Sequence, residues 1–355
     1  MAMSAVRVDS LSRAGSVTPA HQFETRALEG YCRANLPGFV GPLSIRQFHG
    51  GVSNPTFLLT DAGSGSRYVM RKKPPGMLLP SAHAIEREYR IMRALGATDV
   101  VVPHMLCLCE DSSIIGASFY LMPFLTGRIY KTNRLEDMSS IERRAAYKDA
   151  AKVLARIHAA DYETLGLGDF GRPGNYFSRQ IARWTKQYRG AQTDEIPTMD
   201  WLIDHLGARI PPDDRAGIVH GDYRLENLMF HPTEPRIIAV LDWELSTLGH
   251  PLADLAFFCL FYHADFMPWG GPHDRDFLTT GVPAEADHVA DYCQASGREG
   301  IADWSFFLAF SAFRVAAIAQ GVYRRGRDGS GMIPTTGPAN GAKDWADLAQ
   351  RLARS

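Results

Sequence analysis

The chain carries 38 Lys and Arg against 39 Asp and Glu in 355 residues, a formal net charge of -1. That balance, with no long run of one sign, does not suggest a nucleic-acid partner, which needs a basic surface. With 45% hydrophobic residues the chain has ample material for a buried core, and its length favours two lobes over one compact unit.

Residues 1–20 are rich in Ser, Ala and Arg without a period and read as a flexible arm. The polar N-terminus has no apolar signal core. His21 to Asn35 is helical by spacing, with Phe23, Ala27, Leu28 and Tyr31 on one side, and Leu36-Pro37-Gly38 ends it. Strands follow at Ser44 to Phe48, Thr56 to Asp61 and Tyr68 to Lys72, the last two joined by the turn Asp61 to Ser66. Between the first two lies Phe48-His-Gly-Gly-Val-Ser-Asn-Pro-Thr56. There Gly50-Gly51 lets the backbone close over an anion, and Ser53 adds a hydroxyl. A tight hairpin without a ligand is the plain alternative; the position ahead of a strand ending in Arg71-Lys72 favours the phosphate reading.

A helix is expected from Ser81 to Leu95, with Ser81 as N-cap and Ile85, Tyr89, Met92 and Leu95 on its apolar side. Met105 to Cys109 and Ile114 to Pro123 form a further β pair, running into Phe119-Tyr-Leu-Met-Pro-Phe-Leu-Thr-Gly127. Cys107 and Cys109 alternate on the first of these. With Cys32, Cys259 and Cys293 they make five cysteines at irregular spacings, read as reduced thiols of a cytoplasmic protein.

After Gly127 the chain is mainly helical, at Ser140 to Ala160, Asn175 to Arg189 and Met199 to Leu206. His158 reads as a packed helix-end histidine. Asp303 to Gly321 is a long apolar helix. Its core, Ser305 to Gln320, is broken by Arg314 and reads as buried, so no membrane span is expected.

The most informative stretch is Ile218 to Leu255. His220-Gly221-Asp222 follows a short apolar run, Asn227 lies five residues after Asp222, and Asp242 comes twenty after it. Leu228 to Phe230 and Ile237 to Leu241 alternate as a hairpin whose turn holds Pro232 and Pro235. A hairpin of that length returns Asp242 to the level of Asn227. Phosphoryl transfer needs such a set: a carboxylate, Asp222, to take the hydroxyl proton, and hard oxygens, Asn227 and Asp242, to hold Mg²⁺ on a triphosphate. The Asp-to-Asn spacing is that of the protein-kinase signature H-R-D-x-x-x-x-N, with Gly221 replacing Arg and Asp242-Trp243-Glu244 standing where D-F-G would.

His-Gly-Asp with Asp-Trp-Glu resembles the aminoglycoside phosphotransferase and choline kinase-like family. The likeness runs from about Leu43 to Tyr323. Tyr68 to Gly76, Arg179-Gln-Ile-Ala-Arg-Trp184 and Leu241 to Pro251 look like the kinase-like domain fused to some acyl-CoA dehydrogenases. The resemblance implies an α+β, protein kinase-like two-lobe fold: a small antiparallel β-sheet N-lobe with one helix at 21–125, and a larger mainly helical C-lobe at 126–355. It also implies an ATP-dependent, Mg²⁺-requiring phosphotransferase acting on a small-molecule hydroxyl, with a hydroxyacyl-CoA as one acceptor class. No flavin motif is present, so dehydrogenase activity is not expected.

Register against the family's strand gives Arg71, not Lys72, the α/β-phosphates, leaving Lys72 as a solvated edge charge. Glu88 becomes the ion-pair partner of Arg71, with Glu86 as fallback. Met122, Pro123 and Leu125 would meet the adenine, although an ordinary buried strand explains those residues equally well. Asp254 would buttress the catalytic loop.

Three other readings stay open: a non-catalytic nucleotide sensor or partner module, an antibiotic kinase of the aminoglycoside type, and transfer of AMP instead of phosphate. Trp184, Tyr188, Trp201, Phe261, Tyr262 and Trp269 are candidates for an apolar acyl site or for plain core.

Overall fold

A computed structural model describes residues 8–9, 14–49, 54–74, 84–267, 280–329 and 340–355. The chain divides into two compact units. The first holds Met1–Lys131, Leu165–Leu167 and Leu225–Ser246; the second holds Thr132–Thr164, Gly168–Arg224 and Thr247–Ser355.

The first unit is built on strands β1 (Val8–Asp9), β2 (Ala14–Gly15), β3 (Leu43–Phe48), β4 (Thr56–Asp61), β5 (Arg67–Lys72), β6 (Cys107–Cys109), β7 (Phe119–Pro123) and β8 (Arg128–Ile129). Helix α1 spans Thr25–Asn35 and α2 spans Ile85–Leu95. Six strands form one antiparallel sheet in the order β2-β3-β4-β5-β7-β6. Within the segment read as an arm, β2 is thus paired, and the Gln47 side-chain oxygen accepts from the Thr18 backbone N–H at 2.9 Å.

Alternation along the strands sorts the sheet's two faces. Phe57, Leu59, Met70, Phe119 and Leu121 pack with Leu28 and Cys32 of α1 into one core. Lys72 sits two residues beyond Met70. Instead of an edge charge in water it is 5% exposed, with its ammonium 5.3 Å from the centre of the Phe23 ring. Arg71 therefore points the other way, beside its cross-strand partner Tyr120.

Two further strands, β10 (Leu228–Phe230) and β11 (Ile237–Val240), join β1 and β8 in a second sheet of order β1-β8-β10-β11. Strand β9 (Gly217–Val219) precedes them in the chain. The β10–β11 hairpin pairs Leu228 with Val240 and has a register shift between Met229 and Phe230. Arg128 holds its turn, donating to the carbonyls of His231 at 2.9 Å and Glu234 at 2.8 Å. Gly127 permits close packing there, since a Cβ at that position would stand 2.5 Å from Met229 Cγ and 2.7 Å from the Phe230 carbonyl.

Among its described residues the second unit is mainly helical, with β9 paired to β12 (Thr247–Gly249). Its helices among the described residues are α3 (Ser140–Ala159), α4 (Tyr176–Ala191), α5 (Pro197–Gly207), α6 (Leu252–Cys259), α7 (Glu285–Ser296), α8 (Trp304–Arg327) and α9 (Ala342–Arg354). A capping box starts α3: Ser139 Oγ accepts from the Glu142 N–H, and Glu142 Oε2 accepts from the Ser139 N–H. Helix α8 is long and apolar enough to cross a membrane by length and composition, yet its most apolar window is 72% buried and it packs against α4, α6 and α9. It is the core helix of this unit.

Candidate active site

In the first unit, an ion network centres on Arg71 at the end of β5. Its Nη1 lies 2.8 Å from the Glu88 carboxylate on α2, and its Nη2 lies 2.9 Å from Asp242 and 3.4 Å from Glu244. Glu88 is 1% exposed. Burial pushes its carboxyl up to about 7, with Arg71 pulling the other way. Burial alone would lower the Arg71 value, but the Glu88 and Asp242 carboxylates more than offset it, and the guanidinium stays charged. The fallback residue Glu86 pairs instead with Lys73, at 2.5 Å.

Asp242 follows the hairpin directly. The Leu241 N–H donates to the Asn227 carbonyl at 2.8 Å, so the chain leaves β11 at the level where Asn227 entered β10. Asp242 itself is left-handed, at φ 65° and ψ 60°, a conformation that Asp tolerates better than most side chains. The next residue fixes the turn: Trp243 is buried, its Nε1–H donates to the Val240 carbonyl at 3.0 Å, and its own carbonyl accepts from Ser246 Oγ at 2.6 Å.

An amide oxygen on Asn227 and a carboxylate on Asp242 are hard donors of the kind Mg²⁺ takes. No group of three or more His, Cys, Asp or Glu side chains suited to a metal occurs among the described residues. Two such oxygen donors fit an ion that keeps waters and relies on phosphate oxygens, better than one needing a full protein cage.

Met122 and Pro123 end β7, paired with Val69 and Tyr68, and with Leu125 they are half-buried. Gly50, Gly51 and Ser53 lie outside the described residues, as do Ser81 and Trp269.

In the second unit, β9 delivers His220-Gly221-Asp222. Gly221 sits at φ 84°, a region closed to most side chains, which is why Gly stands where an Arg is found in the protein-kinase signature. Asp254, near the start of α6, accepts from the His220 N–H at 2.6 Å and the Gly221 N–H at 2.8 Å. Burial would raise its carboxyl, but His158, His220 and the Gly221 N–H hold it below the usual range. His158 lies 3.4 Å from Asp254 and 2.8 Å from the Tyr292 hydroxyl, and burial keeps its imidazole low and neutral. The Asp222 N–H donates to His220 Nδ1 at 3.2 Å, and the Asp222 carboxylate is 3.3 Å from Arg224 Nε.

A model of the phosphotransferase enzyme family matches residues 44–289. The chain belongs to this family. A protein from Ralstonia eutropha, provisionally assigned to the aminoglycoside phosphotransferases, is 48% identical and superimposes with a TM-score of 0.85 over 94% of this chain and 99% of its own. Among curated proteins, mouse acyl-CoA dehydrogenase family member 10 is 47% identical over 87% of this chain, and the human family member 11 is 42% identical over 87%. The chain spans only 29% and 40% of the length of those two relatives. Choline kinase from Cryptosporidium parvum shares the fold, with a TM-score of 0.59 at 15% identity over 93% of this chain and 94% of its own.

The chain is thus a member of the phosphotransferase enzyme family with a kinase-like α+β fold. Two parts of this phosphotransferase escaped the sequence reading. Glu244 joins the Arg71 network, which a carboxylate two residues from Asp242 could have suggested. Arg314 reaches the Gly221 carbonyl from α8, and its one signal was a lone charge inside an apolar helix. Of the candidate acyl-site aromatics, Trp184, Tyr188 and Phe261 are buried in the unit.

Proposed function

We propose that this phosphotransferase moves the γ-phosphate of ATP to a hydroxyl group of a small molecule, with a hydroxyacyl-CoA as the acceptor class. The observation that carries the reading is the buried Arg71–Glu88 pair beside Asp242. A guanidinium fixed by one carboxylate, next to a second carboxylate suited to Mg²⁺, is an arrangement for a polyphosphate. The acyl-CoA part is supported by the dehydrogenase names of the curated relatives.

In this mechanism Asp222 accepts the proton of the attacking hydroxyl, a contribution of about 10²–10⁴-fold. Arg71, oriented by Glu88, neutralises phosphate oxygens. Asn227 and Asp242 would hold Mg²⁺, which supplies charge neutralisation on the phosphates when bound. Gly50, Gly51 and Ser53 are assigned to covering the triphosphate, and Met122, Pro123 and Leu125 to the adenine.

The test is ATP consumption with Mg²⁺ across hydroxyacyl-CoA thioesters, choline, sugars and aminoglycosides, with product mass recorded. A phosphorylated hydroxyacyl-CoA, absent with Asp222→Ala, is the expected product. Turnover of another acceptor alone overturns the CoA assignment, and an AMP adduct overturns phosphate transfer.

A further inference from the structure

The loop ahead of Asp222 poses a mechanical problem. Gly221 has the widest backbone freedom of any residue, yet a proton acceptor has to be held to within about 0.5 Å to work well. Side chains remove that freedom. Asp254 takes the N–H groups of His220 and Gly221, and His220 Nδ1 takes the N–H of Asp222.

The remaining polar group, the Gly221 carbonyl, accepts from Arg314 Nη2. Arg314 is 8% exposed, and its guanidinium lies 5.6 Å from the Trp184 ring and 5.2 Å from the Phe257 ring. Two aromatic faces therefore set its orientation, and its fork is aimed at one backbone oxygen. An acid and a base, both buried, grip the N–H and the C=O of the same glycine.

We propose that Arg314 is a positioning residue for the phosphoryl-transfer step, acting through the Gly221 carbonyl to place the Asp222 carboxylate. The proposal rests on the reading of Asp222 as the proton acceptor. It assigns a function to a charge that otherwise sits on the buried side of an apolar helix, nearly a hundred residues from the loop. Lys keeps the charge and one donor but not the flat stacking surface, so it should do part of the work.

The test uses R314M and R314K in the full chain, read by ATP turnover with the acceptor panel and by hydrogen exchange across residues 217–224. R314M should lower kcat about 10- to 100-fold, the range expected for a misplaced reacting group, while KM for ATP changes less than about twofold. R314K should recover part of that loss. Amide exchange should quicken at His220, Gly221 and Asp222, with α4, α6 and α8 unchanged.

An unaltered kcat in R314M overturns the proposal. So does a fall in kcat accompanied by lost protection throughout those helices, which marks general loosening. If the wild-type chain turns over no acceptor, the reading of Asp222 is what fails. Exchange then decides alone: quickening confined to the loop upholds the clamp, and an unchanged loop rejects it.

Discussion

Arg71 and Glu88 meet at 2.8 Å with the glutamate 1% exposed, across the face of the sheet opposite α1. Losing one partner of such a pair typically costs about 3–5 kcal/mol where the other charge is left alone, and less here because Arg71 keeps its contact with Asp242. Glu88→Ala should therefore lower the unfolding midpoint of the protein. It should also weaken Mg·ATP binding about tenfold, the loss of one charge-assisted contact's worth of orientation. Calorimetry with and without nucleotide separates the two effects; unchanged nucleotide affinity would detach the pair from phosphate binding.

Asp222 and Asp242 carry different assignments and should fail differently. Asp222→Asn should reduce turnover by about 10²–10⁴-fold and leave Mg·ATP affinity near wild type. Asp242→Asn should weaken Mg·ATP binding itself. Titration of each variant with Mg·ATP, alongside initial rates, checks the split, and equal losses of affinity in both would merge the two roles.

His250 and His288 are buried, and burial brings both imidazoles down to about 4. His288 stacks on Phe258 with ring centres 4.6 Å apart, near Asp291 and Arg144. An unfolded chain takes up these protons near the ordinary value of 6.5, whereas the folded chain resists until about 4. Stability from this source is whole above pH 6.5 and falls as pH drops through that window, by up to about 3 kcal/mol per imidazole. Melting curves at pH 7, 6 and 5 should show the decline, and His288→Phe should flatten it. A pH-independent midpoint in that range would exclude neutral burial.

Gly127→Ala places a methyl group against Met229 and the Phe230 carbonyl. Overpacking of this kind costs about 1–3 kcal/mol. Strand β10 would have to shift, so Asn227 and, on the proposed reading, Mg²⁺-dependent nucleotide binding should suffer with it. Thermal melts, repeated with Mg·ATP, measure both.

Much of this is legible in the sequence, because spacing alone is a strong constraint at certain places. The interval from Asn227 to Asp242 encodes a hairpin, and the hairpin is present. The pleat lets only one of Arg71 and Lys72 face Glu88, since adjacent strand residues take opposite faces. What spacing does not encode is depth. Lys72 looked like an edge charge because nothing in the strand announces the Phe23 ring that covers it. Arg314 was visible only as an interruption in an apolar helix, since its partner, a backbone oxygen, leaves no trace in side-chain chemistry. The pairing of Ala14–Gly15 left no signal because a two-residue strand is too short for any alternation to register.

The hairpin Leu225–Ser246 belongs to the first unit although the chain on either side of it builds the second. Neither unit is therefore a contiguous gene segment. A fragment ending at Lys131 keeps the Arg71–Glu88 pair but loses Asn227 and Asp242, so dissecting this protein by simple truncation will yield pieces that are each chemically incomplete. On the ribosome the same topology imposes an order: the Arg71 network closes only after residue 246 has been made, by which time the chain for α3, α4 and α5 has already been synthesised.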